Sequence, residues 1–498
     1  MRILFIYPDI ITKMINFCPA IHVLSAVLKR EGYEVDLLHI NNDYGIKYDK
    51  DTIVGLAEGY DLFAITSTSF NYKYANEIAG WLQEEYPLIL VMLGGYHATT
   101  QPEDFKDSNF DIFCVGEGEE PMKELCRALD IGDNNWVKIP NLITRVGGVN
   151  PVRGFLKDLN ELPYWDFDIT DTAKIIELRG GWLSISFSRG CPYECSFCYN
   201  HLLKKVEMGV HDKMSDYLRR RTPANAVNEL ESLANKYPIK FFNIDDDLLT
   251  MNKKWMKEFT DLYAERIYKP FGIKYVINAR ADSLTEDITQ MLGSSGCKEA
   301  RLGFETGNEK LRNELLDKRT SNEALIKACA NLTKHGVQSV AFAMIGIPGE
   351  SWDSFKDTLD MTIKLQPNLI RMTFLYPYKH TRIYDICIER DLFKGGGITD
   401  NRDYGSCLKF DRITDNDLSC MRFLFPWYVN FKWFGDYEYY KAIEYFSKYS
   451  ETFFTEDRIP LIIEKDKELS MNCKHPHYRY YRGNEYYFEL HDNNKVGI

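Results

Sequence analysis

Short apolar runs alternate with helix-length amphipathic segments along the first 130 residues: RILFIY, EVDLLHI, DLFAITS, LILVML and DIFCVGE. The runs are strand-sized, and in the segments between them, such as 21–29, apolar residues return every three or four positions. The pattern predicts a parallel, doubly wound sheet with helices on both faces. Turn-forming and small residues close the runs at Pro8, Thr66 to Ser69, Gly94-Gly95 and Gly116 to Gly118. Ligands of such sheets sit at the carboxyl ends of the strands, so residues 1–150 read as a binding domain. Residues 151–179, containing LNELPYWDFD, lose the periodicity and read as an ordered linker. A second alternation fills 180–381, with strands predicted at LSISFS, IKFFNID, YVINAR, EARLGFE, SVAFAMIG and LIRMTFL. Six strand–helix units predict a partial (β/α)6 barrel rather than the complete eight-unit one. The remainder, 382–498, reads as mostly helical and aromatic-rich, with Phe423, Phe425, Trp427, Tyr428, Phe431, Trp433, Phe434, Tyr437, Tyr439 and Tyr440 close together.

Length and composition narrow the function classes. At 498 residues and 45% hydrophobic composition the chain exceeds one ordinary core. Asp9 interrupts the apolar start, and no run approaches the ~18 to 20 apolar residues of a membrane span, so the cytoplasm is the expected location. A net charge of −12 argues against nucleic acid as a partner, and the one dense basic patch, Arg219 to Arg221, is too small to reverse that. Twelve scattered cysteines do not resemble a secreted disulfide framework, which points to a reducing compartment.

Three of those cysteines are tightly spaced. SRGCPYECSFCYN sets Cys191, Cys195 and Cys198 just after the first strand of the second alternation. Thiolates are the usual iron–sulfur ligands, and three of them leave one iron open for a chelating ligand. The alternative is a structural zinc site, which needs a fourth ligand and finds only His201 nearby; spacing alone does not exclude it.

The run CPYECSFC, with Phe197 before the last cysteine, resembles the signature of the radical S-adenosylmethionine superfamily. In that superfamily the methionyl amine and carboxylate chelate the open iron of a 4Fe-4S cluster, and reduction releases a 5'-deoxyadenosyl radical. The resemblance extends to Asp245 to Asp247, to Asn278 and Arg280 in YVINAR, to Gly303 and Glu305 in RLGFETG, and to GIPGE at Gly346 to Glu350. It implies that Asp246, Asn278, Arg280, Glu305 and Gly346 line the S-adenosylmethionine site. Polar groups at successive strand ends converge on one mouth, where Arg280 can meet a carboxylate with two hydrogen bonds and Glu305 can accept from an ammonium or hydroxyls. Each taken singly also reads as a cap or salt bridge, and GIPGE as a turn before a helix.

The amino-terminal region is similar to the Rossmann-like, cobalamin-binding branch of the same superfamily, of the class B methyltransferase type. The similarity lies in Tyr7-Pro8, PAIHVLSAVLKREGYEV, GGYHATTQPE, VGEGEEP and the linker's LNELPYWDFD. It implies a corrinoid site formed by Thr66, Ser67, Gly94, Gly95, His97 and Glu117, although a histidine near a strand end is also commonly structural. His22 and His39 are expected to be structural. The Asp-x-His-x-x-Gly loop that ligates cobalt in other corrinoid domains is missing, because Asp9 is followed by IITKMINF. The expected cofactors are therefore a 4Fe-4S cluster, S-adenosylmethionine and cobalamin.

The expected reaction is methylation of an unactivated carbon of a small-molecule or lipid-like substrate, with electrons from an external one-electron reductant such as flavodoxin or ferredoxin. Two alternatives remain: a cyclisation, rearrangement or redox reaction using the same cofactors without methyl transfer, and a non-catalytic zinc- or corrinoid-binding protein. No catalytic residue is singled out. Tyr199, Asn200, Tyr376 and His380 lie near the expected barrel mouth, and YPYKHT at 376–381 departs from the family's usual turn. The aromatic cluster reads as a small core, with a pocket for an apolar substrate as the alternative.

Overall fold

The computed structural model describes residues 1–11, 15–41, 46–208, 213–394, 405–448, 454–455 and 458–491. The chain divides into two compact units. The first comprises Met1–Pro192, Asn200–Asp247 and Leu262–Lys274; the second comprises Tyr193–Tyr199, Leu248–Asp261 and Tyr275–Ile498.

The first unit is built on a seven-stranded sheet of β1 (Arg2–Pro8), β2 (Glu34–Ile40), β3 (Leu62–Thr66), β4 (Leu90–Gly94), β5 (Ile112–Cys114), β6 (Leu142–Thr144) and β7 (Gly148–Val149), in the order β2-β1-β3-β4-β5-β6-β7. The five strands predicted from the apolar runs are parallel, and β6 and β7 add antiparallel at the edge. Both faces are buried, which explains why these strands read as near-continuous apolar runs. Leu4, Ile6, Phe63, Ile65, Val91 and Leu93 pack into one core, while Ile3, Phe5, Leu62, Ala64 and Met92 pack into the other. The strand order reverses between β1 and β3, and a ligand crevice is expected at their carboxyl ends. The same unit holds the first two strands of the second alternation, β8 (Trp182–Ile185) parallel to β11 (Phe241–Ile244). It also holds the short antiparallel pair β9 (Ser188–Arg189) and β10 (Arg219–Arg220).

The second unit contains β12 (Lys274–Ala279), β13 (Cys297–Glu305), β14 (Gln338–Ile345) and β15 (Leu369–Phe374), paired in parallel in that order. All six strands expected of the partial barrel are thus present. The carboxy-terminal region supplies helices at Asp415–Phe423, Phe425–Phe434, Tyr437–Ser447 and Ile459–Asn472. It also supplies two strands that the aromatic composition concealed, β16 (His477–Tyr480) and β17 (Tyr487–His491). β17 pairs antiparallel with β15 and so covers an edge that would otherwise expose backbone donors and acceptors. Phe423, Phe425 and Trp427 are fully buried, with Trp427 Nε1 donating to Asp466 Oδ1 at 2.7 Å, so this part of the aromatic cluster is core. Among the described residues no helix is long and apolar enough to cross a membrane.

Candidate functional site: a strand-end cavity and a cysteine-bearing turn

A cavity of about 530 Å³ opens within the first unit at the carboxyl ends of the parallel strands. One wall follows β1 at Tyr7, the β3 end at Thr66 to Thr68, the β4 end at Gly94 to Tyr96, and the β5 end at Gly116 to Glu119. Cys18 to Leu24, at the start of the helix Pro19–Arg30, complete that side. The opposite wall comes from the second alternation: Ser186 to Gly190 after β8, Asn200, Glu207, Tyr217, Arg219, and Asp245 and Asp247 after β11. The cavity therefore reaches Gly190, the residue before Cys191.

Two glycines set this geometry. Gly95 has φ of 88°, and a Cβ there would lie 2.7 Å from Thr66 Oγ1, so the β3 and β4 turns approach closely only because this residue lacks a side chain. Gly190 has φ of 93°, and a Cβ would lie 2.5 Å from the Tyr217 carbonyl, which accounts for a glycine immediately ahead of the first cysteine.

Of the residues expected around a corrinoid, Thr66, Ser67, Gly94, Gly95 and Glu117 line the cavity. His97 is placed elsewhere: it is buried, stacked on Tyr72 with ring centroids 3.6 Å apart, and its Nε2 lies 3.4 Å from Asp104 Oδ2. Among the described residues no histidine lines the cavity. The segment that replaces the missing Asp-x-His loop includes Thr12 to Met14, which lie outside the described residues. His22 and His39 are buried; His22 Nδ1 lies 2.9 Å from the Asp166 carbonyl and its ring stacks against Trp165.

The charged side of the cavity holds residues that sequence reasoning did not single out. Glu117 is bridged by Arg189 at 2.7 Å and by Arg219 at 2.8 Å, and Arg189 also pairs with Glu119. Burial alone would raise the Glu117 carboxyl, but the two guanidinium groups override it and hold it at about 2. Glu207 lines the same cavity, and burial together with the nearby Glu117 charge pushes it up to about 7 against the weaker pull of Arg219 and Arg189. The basic run Arg219 to Arg221 is largely internal: Arg219 pairs with Glu117, and Arg221 with Glu229 at 2.6 Å. Asp246, between the cavity-lining Asp245 and Asp247, is buried. It accepts from the Phe187 amide at 3.0 Å and from the amide and hydroxyl of Ser188 at 2.5 Å each, so it fixes the segment leading to the cysteines. Burial raises its carboxyl to about 6 against the opposing hydrogen bonds from Ser188.

In the second unit, Cys195 is buried and Cys198 half-buried, with the Cys198 amide donating to the Cys195 carbonyl at 3.1 Å. Ser196 anchors the turn through its hydroxyl, which donates to the Leu315 carbonyl at 2.7 Å. Arg280 sits directly beside it. Its Nη1 lies 4.0 Å from Cys195 Sγ, its Nη2 donates to the Lys318 carbonyl at 2.6 Å and to Thr320 Oγ1 at 2.9 Å, and its guanidinium lies 3.6 Å from the centre of the Tyr193 ring. Glu305 ends β13 at a register shift, in left-handed backbone with φ of 60°, and its carboxylate takes the Lys318 ammonium at 2.8 Å. A non-glycine residue held in that conformation costs ~1–3 kcal/mol and marks a place where surrounding structure dictates the backbone. The result is a buried, charged lining around a thiol, in which the Arg280 and Lys318 cations are offset by Asp282, 3.1 Å from Arg280 Nε, and by Glu305. Asn278 lies on β12 of the same sheet. The Gly346 amide donates to Glu350 Oε2 at 2.5 Å and the Ile347 amide at 3.2 Å, so Glu350 holds the GIPGE turn rather than starting the next helix, which is capped by Ser351. Tyr376 and Tyr378 pack together, and Tyr199 against Tyr378, with ring centroids 5.1 and 4.5 Å apart.

Both assemblies suit the groups expected of them. The strand-end cavity, with its close-packed Gly95 turn, has the small-residue rim of a corrinoid or nucleotide pocket, and the thiol donors, with the Arg280 guanidinium beside Cys195, suit an iron–sulfur cluster. Together they define an α/β protein built around two cofactor sites. The B12 binding domain model matches residues 19–126, and the radical SAM superfamily model matches residues 185–362. An uncharacterised methyltransferase of Pyrococcus horikoshii is 25% identical over 351 residues, covering 70% of this chain and 71% of that one. The anaerobic magnesium-protoporphyrin IX monomethyl ester cyclase of Rubrivivax gelatinosus is 26% identical over 404 residues, covering 77% of this chain and 69% of the cyclase. The solved structure of the cobalamin-dependent S-adenosylmethionine radical enzyme OxsB, with aqua-cobalamin and S-adenosylmethionine bound, shares the fold with a TM-score of 0.67 at 16% identity, over 94% of this chain and 75% of that one.

The chain belongs to the radical SAM superfamily, in the group whose members carry an amino-terminal B12-binding domain. It is a cobalamin-dependent radical SAM enzyme, and its two domains imply a 4Fe-4S cluster, S-adenosylmethionine and cobalamin.

Proposed function

We propose that this enzyme methylates an unactivated carbon of a small-molecule or lipid-like substrate. The observation that carries the reading is the cavity whose walls come from the strand ends of both alternations and which ends one residue before Cys191. A corrinoid held there lies against Gly190, one residue ahead of Cys191 in the chain. When bound, the cluster with S-adenosylmethionine supplies a 5'-deoxyadenosyl radical for hydrogen abstraction, and cobalamin supplies the methyl group.

The residues around these groups have separable tasks. Cys191, Cys195 and Cys198 hold the iron. Arg280 and Glu305 bind the carboxylate and the ammonium or hydroxyl groups of S-adenosylmethionine, with Asn278 and the Gly346 turn beside them, while Asp246 fixes the chain ahead of Cys191. Thr66, Ser67, Gly94 and Gly95 form the neutral floor of the corrinoid site, and Glu117 braces Arg189 and Arg219 on its far wall. An external one-electron reductant of the flavodoxin or ferredoxin kind delivers electrons to the cluster. The domain scheme that fits this division of labour is 1–150 for the corrinoid, 151–179 as linker, 180–381 for the radical chemistry and 382–498 as the aromatic-rich cap.

The cyclase relative favours a second reading, in which the same cofactors drive a cyclisation, rearrangement or redox step without methyl transfer. Anaerobic incubation with reductant, a small-molecule extract and S-adenosylmethionine carrying a deuterated methyl group separates the two. Methyl transfer yields S-adenosylhomocysteine and 5'-deoxyadenosine together, and a product carrying the labelled methyl. Deoxyadenosine with no S-adenosylhomocysteine and no label in any product would overturn the methylation reading.

A further inference from the structure

Asp436, Cys473 and His475 bring one oxygen, one sulfur and one nitrogen donor within 4.8 Å of one another, far along the chain from the cluster cysteines. Asp436 caps the helix Tyr437–Ser447, where its Oδ1 accepts from the Glu438 amide at 3.0 Å. Its other oxygen, Oδ2, lies 3.6 Å from His475 Nε2. Cys473 closes the helix Ile459–Asn472, and its Sγ lies 3.5 Å from His475 Nε2 and 3.4 Å from Nδ1. Tetrahedral zinc, with bonds of about 2.3 Å to sulfur and about 2.0 Å to nitrogen or oxygen, sets edges of roughly 3.3–3.6 Å between neighbouring ligand atoms. The S–Nε2 and Nε2–Oδ2 separations have that length.

The surroundings also suit ligation. His475 Nδ1 lies 3.0 Å from the Pro476 carbonyl, an acceptor that keeps the proton on Nδ1 and leaves the Nε2 lone pair for a metal. Phe434 stacks on the imidazole with centroids 3.8 Å apart, which limits its tilt. Cys473 is buried, whereas Asp436 and His475 are half-exposed, so water can complete the tetrahedron.

We propose that Asp436, Cys473 and His475 bind a divalent ion of the zinc class, which ties the start of one cap helix to the end of another. Such an ion binds only the folded arrangement and so couples to the folding of the cap.

The test is zinc and iron analysis of the anaerobically purified full chain after growth with added zinc and thorough desalting, together with zinc-edge X-ray absorption. The expected result is a single retained zinc with one sulfur neighbour and otherwise nitrogen or oxygen. Cys473→Ala/His475→Ala loses that zinc and keeps its iron, whereas Cys191→Ser/Cys195→Ser/Cys198→Ser loses iron and keeps the zinc. No retained zinc, or zinc with two or more sulfur neighbours that vanishes with the cluster cysteines, would overturn the proposal. Should the cap variant fail to fold, the sulfur count in the unmodified chain and in the cluster variant still decides.

Discussion

The Cys195 knot and the strand-end cavity solve the problem of holding a cofactor in opposite ways. Around Cys195 the structure concentrates charge in a small buried volume: Arg280 beside the sulfur, Lys318 on Glu305, and a backbone forced into left-handed conformation to bring them together. The cavity is broad; the β3 and β4 ends that line it are neutral, made of backbone, glycine and hydroxyl groups, and its charge lies at the β5 end and on the wall opposite. The difference teaches that the first site depends on the identity of a few side chains, whereas the second depends on the absence of side chains at a few turns.

Substitutions should therefore fail differently in the two places. Cys195→Ala removes an iron ligand, and 5'-deoxyadenosine formation is expected to fall by about 10³-fold or more, the scale of deleting one member of a catalytic unit. Bound cobalt should stay unchanged, because the cavity floor is untouched; parallel iron, cobalt and nucleoside assays check both. Lys318→Met leaves the Glu305 carboxylate buried without its cation and should cost about 3–5 kcal/mol in urea unfolding. Adding Glu305→Gln to that variant should recover most of the loss.

On the cavity side, Gly95→Val places a branched side chain against Thr66 and forces φ of 88° on a residue that resists it. If that strain of ~1–3 kcal/mol is met on binding, hydroxocobalamin binds about 5- to 150-fold more weakly in a spectral titration, with iron content unaffected.

The smallest effect concerns the two carboxylates of the charged wall, whose pH dependences have opposite sign. Glu207, raised to about 7, binds its proton more tightly in the folded than in the unfolded chain, so its contribution is full below the ordinary carboxylate range and is lost as pH rises through about 7. Glu117, held at about 2, contributes above that range and loses its contribution as pH falls toward 2. Glu207→Gln should flatten the decline of stability between about pH 4.5 and 7 by about 1 kcal/mol, read from urea midpoints across that window.

The same contrast explains what the sequence makes legible. Strands buried on both faces announce themselves as apolar runs, and Cys191, Cys195 and Cys198 stand out because their spacing is local. Gly95 and Thr66 were accessible because small residues close the runs. Lys318 and Thr320 were not, since each acts through a partner elsewhere in the chain, Glu305 and Arg280 respectively, and Glu207 was not, since only the charge of Glu117 beside it sets it apart. The pairing of Arg219 was hidden for the same reason: its partner Glu117 lies about a hundred residues earlier. β16 and β17 escaped because their aromatic residues were read with the neighbouring helices, whereas their alternation serves to cover the β15 edge.

The most direct test of the central claim, that one chain joins a radical-generating cluster to a corrinoid pocket, is anaerobic purification with cobalamin supplied, followed by iron, sulfide and cobalt analysis and a deoxyadenosine assay after reduction. The account predicts a full four-iron cluster, one cobalt and 5'-deoxyadenosine from the same preparation. Iron and deoxyadenosine with no retained cobalt would contradict the corrinoid assignment of the cavity, and a preparation without iron that leaves S-adenosylmethionine intact would contradict the account as a whole.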